Sequence, residues 1–155
     1  MPVAISIKII EVEQILHNLT IELMTWDEPI PGFSTRYPGV LESCLAVPFQ
    51  KFGEKFLYEG FIDRAAILFY LLIKNHPFRN GNKRIAMTTL FYFLHKNKRW
   101  IVVDNQELYN FAKWVAESNP KLKDATIEGI KTFLKNYLVD LLEPHIAKFP
   151  KELMR

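Results

Sequence analysis

The chain has 155 residues, the size of one ordinary domain, and its 49% hydrophobic and 14% aromatic content excludes a disordered or fibrous class. A net charge of +3, from 20 basic and 17 acidic residues, permits contact with an anionic ligand but does not mark a dedicated nucleic-acid binder. The single cysteine, Cys44, excludes an internal disulfide framework and reads as a small buried hydrophobe in a reducing compartment.

Residues 1–10 lack the pattern of a secretory signal, and no apolar run reaches the ~18 residues that span a bilayer. The expectation is a cytoplasmic protein without membrane contact. Within 4–10, Ile5, Ile7 and Ile9 alternate, as in an edge strand or a helix lead-in. From Glu11 to Met24, Val12, Ile15, Leu16, Leu19 and Leu23 recur at helical spacing. Pro29, Pro31, Gly32, Pro38 and Gly39 then mark an irregular stretch. Leu41–Ala46 reads as a helical turn stopped before Pro48, and 49–60, rich in glycine and aromatics, as a short hairpin. A loop region this long in a small domain points to a lid or binding surface.

Phe61–Asn75 reads as a first central helix and Asn82 to about Asn97 as a second. Both are apolar almost all round, which belongs at the middle of a core. Lys96-Asn97-Lys98-Arg99 reads as a solvated turn whose cations suit a helix C-terminus. Trp100–Val103 is β-like. Asp104 or Asn105 caps a helix over about 106–117, and Asp124 another over about 125–142, ended by Pro144. The tail from His145 reads as a weak helix or a frayed end. His17, His95 and His145 read as helix-surface or helix-end residues, and Trp26, Trp100 and Trp114 as core. The fold class is therefore mostly α, a single domain over 1–155.

Between the two apolar helices stand nine residues of a different kind, His76-Pro77-Phe78-Arg79-Asn80-Gly81-Asn82-Lys83-Arg84. Polar groups held at the centre of a core carry a desolvation cost, and the usual return is a site. Pro77 forbids continuation of the first helix and biases His76 away from the α region. Asn80-Gly81-Asn82 closes a loop and opens a helix, where free N–H groups and the positive end of the dipole attract an anion. Gly81 lets the backbone approach that anion closely. Lys83 adds a point charge and Arg84 a planar fork suited to phosphate. An imidazole beside an anion cradle suits transfer of a phosphate-containing group to a hydroxyl, with His76 as general base, worth roughly 10²–10⁴ in rate. Phe78 is the apolar anchor of the loop, and Asn80 reads equally as a helix N-cap or a metal contact.

This nonamer resembles the core motif of the Fic/Doc family. Lys83, where Fic enzymes proper usually carry glycine, makes it more similar to the Doc (death-on-curing) branch. Tyr37 to Ala46, then Pro48, Phe52 and Gly53, also look like the Doc-type segment, so the similarity spans about 30–105. The resemblance implies an all-α, Fic-like helical bundle, with two buried helices flanking the active-site loop and a short hairpin or loop flap over about 34–58. It implies ATP and Mg²⁺ as cofactors and a protein hydroxyl as acceptor. The implied acceptor is a threonine of a translation factor such as elongation factor Tu, phosphorylated by a Doc-like toxin. AMP transfer is the enzyme alternative, and a nucleotide- or partner-binding module the non-catalytic one. By position, His76 is the general base, Phe78 the anchor, Gly81 and Asn82 cradle residues, and Lys83 and Arg84 phosphate contacts. Asn80 occupies the Mg²⁺-ligand position, where the family usually has Asp or Glu. Glu54, Glu59 and Asp63 are candidates to make good the missing charge. No serine or threonine has glutamate four residues later, so the inhibitory Ser/Thr-x-x-x-Glu helix of self-restrained Fic enzymes is absent. Restraint is then expected from a separate antitoxin protein.

Overall fold

Ten consecutive residues of one helix, Arg64–Ile73, are buried, and the helix after it buries eleven. These are α3 (Phe61–Lys74) and α4 (Asn82–Lys96) of the computed structural model, which describes residues 4–23 and 29–141. Trp26, Pro144, His145 and the tail lie outside the described residues. Neither central helix has a polar face, so both need cover on every side, and the rest of the fold supplies it. Helix α1 (residues 9–23) packs on α4, while α2 (Val40–Ala46), α5 (Asn105–Glu117) and α6 (Lys123–Tyr137) surround α3. Rings seal the contacts: Phe69 of α3 stacks on Phe111 of α5 at 5.2 Å, and Phe111 on Phe133 of α6 at 3.8 Å.

Helix α1 covers 9–23 in three pieces, α-helical at Ile9–Glu11, π-helical at Val12–Leu16 and α-helical again at His17–Leu23. Residues 4–7 are a lead-in and not a strand; the Ile5 N–H donates to Asn97 Oδ1. The π turn, where the His17 N–H reaches the Val12 carbonyl, advances the phase of the buried stripe. Val12, Leu16, His17 and Thr20 therefore face inward, and Ile15 does not. Sequence periodicity places Ile15 inside and His17 outside, and both assignments are overturned.

Two small antiparallel pairs complete the architecture. The hairpin β1 (Lys51–Phe52) with β2 (Lys55–Phe56) turns at Gly53, whose φ of 65° is left-handed. Strand β3 (Arg99–Ile101) pairs with β4 (Leu138–Asp140). The second pair shortens the helix expected over 125–142. At Leu138 the backbone turns extended (ψ 135°), and Arg99 lies opposite Asp140 and ion-pairs with it. The stretch 96–99 is thus not simply a solvated turn, since Lys96 is also paired, to Glu11 at 2.7 Å. Trp100 is buried as expected, but Trp114 is 47% exposed, its ring edge against Gly129 of α6. No described helix is long and apolar enough to cross a membrane.

Candidate functional site

The loop between α3 and α4 is held by one side chain. Asn82, the first residue of α4 and 7% exposed, accepts the Phe78 N–H at Oδ1 (3.0 Å) and donates from Nδ2 to the Phe78 carbonyl (2.8 Å). Both polar groups of the Phe78 backbone are thereby satisfied without secondary structure. The Phe78 ring goes into the core, 1% exposed, between His17 at 5.7 Å and Phe33 at 6.1 Å. His17 is buried because it joins three segments: its Nε2 is 2.8 Å from the Pro31 carbonyl and its ring meets both phenylalanines. The Tyr37 N–H donates to the Pro77 carbonyl (2.9 Å), so the irregular segment before α2 is tied to the motif loop.

With α3 stopped by Pro77, His76 takes a φ of 50°, in the left-handed region that residues with a Cβ avoid. Gly81 takes a φ of 78° and is the N-cap of α4. A Cβ there would lie 2.9 Å from Ile30 Cγ1 and 3.4 Å from Arg84 Nη2. The N-cap is therefore glycine, and the N-cap reading of Asn80 is overturned. Asn80 stands one residue earlier, and its Oδ1 is buried with no hydrogen-bond partner.

These residues line a cavity of about 420 Å³ together with Arg79, Lys83, Arg84, Ile73 and Ala116. Lys83 and the exposed Arg79 make no ion pair or hydrogen bond among the described residues, while Arg84 is only 4% exposed. No carboxylate among the described residues lines the cavity. Asp63 is at the other end of α3, paired with Lys131 at 2.8 Å, which holds its carboxyl below the usual carboxylate range. Glu54 and Glu59 do not line it either, so none of the three makes good a missing charge here. Among the described residues, no cluster of three or more His, Cys, Asp or Glu side chains could hold a metal.

Arg79 and Lys83, the first-turn N–H groups of α4 and the positive end of this 15-residue helix are together the kind of arrangement that attracts an anion. His76 is exposed and lines the same cavity. Its Nδ1 is 3.5 Å from Asn82 Nδ2, the outer limit of a hydrogen bond. Acceptance there would leave the ring proton on Nε2, whereas a general base acting at Nε2 needs the other tautomer. So loose a contact permits the exchange.

All the motif residues singled out in the sequence surround this one loop. Asn82 is the exception in kind, because its side chain is spent on Phe78 and only its backbone N–H remains for a ligand. The hairpin exists as expected, but its residues do not line the cavity; within 34–58, Tyr37 is hydrogen-bonded to the loop. Sequence reading missed His17, Ile30 and Lys74. Lys74 Nζ donates to the Ala116 (3.1 Å) and Ser118 (2.6 Å) carbonyls and so ties the end of α3 to the end of α5 beside the cavity. Nothing local in the sequence marks these, since each acts across a long separation.

Neither curated proteins nor solved structures gave a match to the chain. The model of the family described as Fic/DOC matches residues 8–94, which takes in α1, the irregular segment, the hairpin, α3, the motif loop and all but the last two residues of α4. More than half of the chain lies inside that match, and the chain belongs to the Fic/DOC family.

Proposed function

We propose that the protein is a Doc-like toxin that transfers the γ-phosphoryl group of ATP to a hydroxyl of a translation factor such as elongation factor Tu. The observation that carries the reading is a cationic cavity at the N-terminus of a buried helix, lined by His76 and by no carboxylate among the described residues. In this reading the α4 N–H groups at Gly81 and Asn82, with Lys83 and Arg84, hold the phosphates, and His76 takes the proton of the acceptor hydroxyl. Lys83 occupies space that AMP transfer by Fic enzymes proper leaves to glycine, which favours phosphoryl over nucleotidyl transfer.

The buried, unpartnered Oδ1 of Asn80 fits a hard cation such as Mg²⁺. It supplies a dipole and no charge, so the cation would arrive with the triphosphate and be held mainly by it; its chemistry there is neutralisation of phosphate charge. Restraint of the toxin falls to a separate antitoxin protein, and the site of action is the cytoplasm.

Labelled ATP with elongation factor Tu tests the proposal. γ-label on the acceptor that is lost in His76→Ala supports it; α-label would mean AMP transfer. A second reading, a module that binds nucleotide or a partner without catalysis, is favoured by the same neutral Asn80 and predicts neither label. Growth arrest on induced expression, abolished by His76→Ala, is the matching test in cells.

A further inference from the structure

A buried arginine without an anion lies at the far end of the central helices. Arg64, in the first turns of α3, is 4% exposed, and its Nε has no hydrogen-bond partner. No carboxylate pairs with its guanidinium among the described residues. What it touches are two rings, Phe49 at 5.3 Å and Phe56 at 4.4 Å from Cζ. Buried charges are ordinarily paired, and cation–π contact replaces only part of the lost hydration.

Arg64 lines a groove of about 910 Å³, within the range of ligand sites. Its apolar walls include Ile5, Phe56, Phe61 and Leu141. Of the other cations on it, Lys96 is neutralised by Glu11 and Arg99 by Asp140, while Lys98 is exposed and has no ion pair among the described residues. Gly60 and Phe61 also line it, so the positive end of α3 meets the groove. The acid of that first turn, Asp63, is engaged by Lys131. Helix α3 has 14 residues, about 21 Å, and the motif loop is at its other end.

We propose that this groove is a second ligand site, distinct from the motif cavity, that takes a carboxylate carried on an apolar body. The guanidinium grips both carboxylate oxygens, and the aromatic walls take the body. Glu59 on the rim offsets part of the positive charge, which matches a single negative charge better than a phosphate dianion.

The test is an amide NMR titration of the full chain with 3-phenylpropionate, and with phenyl phosphate as comparator. The expected result is saturable shifts at Gly60, Phe61 and Arg99, none at Gly81–Arg84, and a Kd on the order of 1 mM. Arg64→Met weakens binding tenfold or more, and Arg64→Lys, which keeps the charge and loses the fork, falls between. Three results would overturn the proposal: no saturable shift in the wild-type chain by about 10 mM, undiminished binding by a folded Arg64→Met or Arg64→Lys, or tighter binding of phenyl phosphate. The wild-type titration decides even where a variant does not fold.

Discussion

Two asparagines two residues apart should behave oppositely when truncated. Asn82→Ala removes a donor and an acceptor that together satisfy the buried Phe78 backbone, at 2.8 and 3.0 Å. Each buried polar group left unpaired costs about 1–3 kcal/mol. The sum is about 3 kcal/mol once water entering from the cavity side relieves part of the loss, equivalent to a fall in Tm of roughly 6–12 °C for a chain of this length. Asn82→Asp should be no better: it keeps the acceptor for the Phe78 N–H but sets an oxygen against the Phe78 carbonyl. Asn80→Ala forfeits no bond, because Oδ1 has none, and should leave stability within about 0.5 kcal/mol of wild type. Urea unfolding followed by circular dichroism measures all three. If Asn82→Ala is as stable as wild type, or Asn80→Ala loses as much as Asn82→Ala, the division of the loop into a stapling and a ligand-facing asparagine is wrong.

Gly81→Ala should cost about 1–3 kcal/mol, because φ is 78° and the new Cβ would press on Ile30, and it should also weaken phosphate binding; thermal unfolding and a phosphate titration report the two effects. At His76, with φ 50°, glycine should be more stable than alanine by about 1 kcal/mol while both variants lose transferase activity, a comparison that reads backbone strain separately from chemistry. Burial alone would raise the Glu11 carboxyl, but hydrogen bonds from Lys96, the Lys8 N–H and Tyr92 outweigh it and hold the group below its ordinary value. A depressed folded-state pKa means stability present above the unfolded value of about 4.3 and lost as pH falls through the folded one. Glu11→Gln should therefore be less stable than wild type at pH 7, with the gap closing below about pH 4; urea midpoints across pH 3–7 check it.

The two central helices are legible because nothing competes with their pattern. Phe61–Asn75 and Asn82–Asn97 are expected, and Phe61–Lys74 and Asn82–Lys96 are found. Uniform apolarity states the burial, and Pro77 and Gly81 state the ends. What escapes the sequence is decided by partners far along the chain. Leu138–Asp140 leaves the helix because Arg99–Ile101 waits to pair with it, and Trp114 stays half outside because a ring that large seldom finds complete cover. His17 goes inside because one π turn moves the stripe by a residue, a local change that a 3.6-residue period does not register.

The same limit applies within the motif. Residue type reads Asn80, Asn82, Lys83 and Arg84 as four polar groups of one site, yet the loop spends them differently. Asn82 satisfies a backbone that neither helix reaches, and without it Phe78 could not stay buried with its N–H and carbonyl paired. Only when that internal demand is met can Asn80 keep a buried oxygen unpaired and Lys83 remain without an ion pair among the described residues. Unmet polar capacity is costly in a structure at rest and useful to one that binds, and here it gathers on the side of the loop that opens to the cavity. Once the groups that hold the loop are accounted for, what remains is the part of the motif left for a ligand.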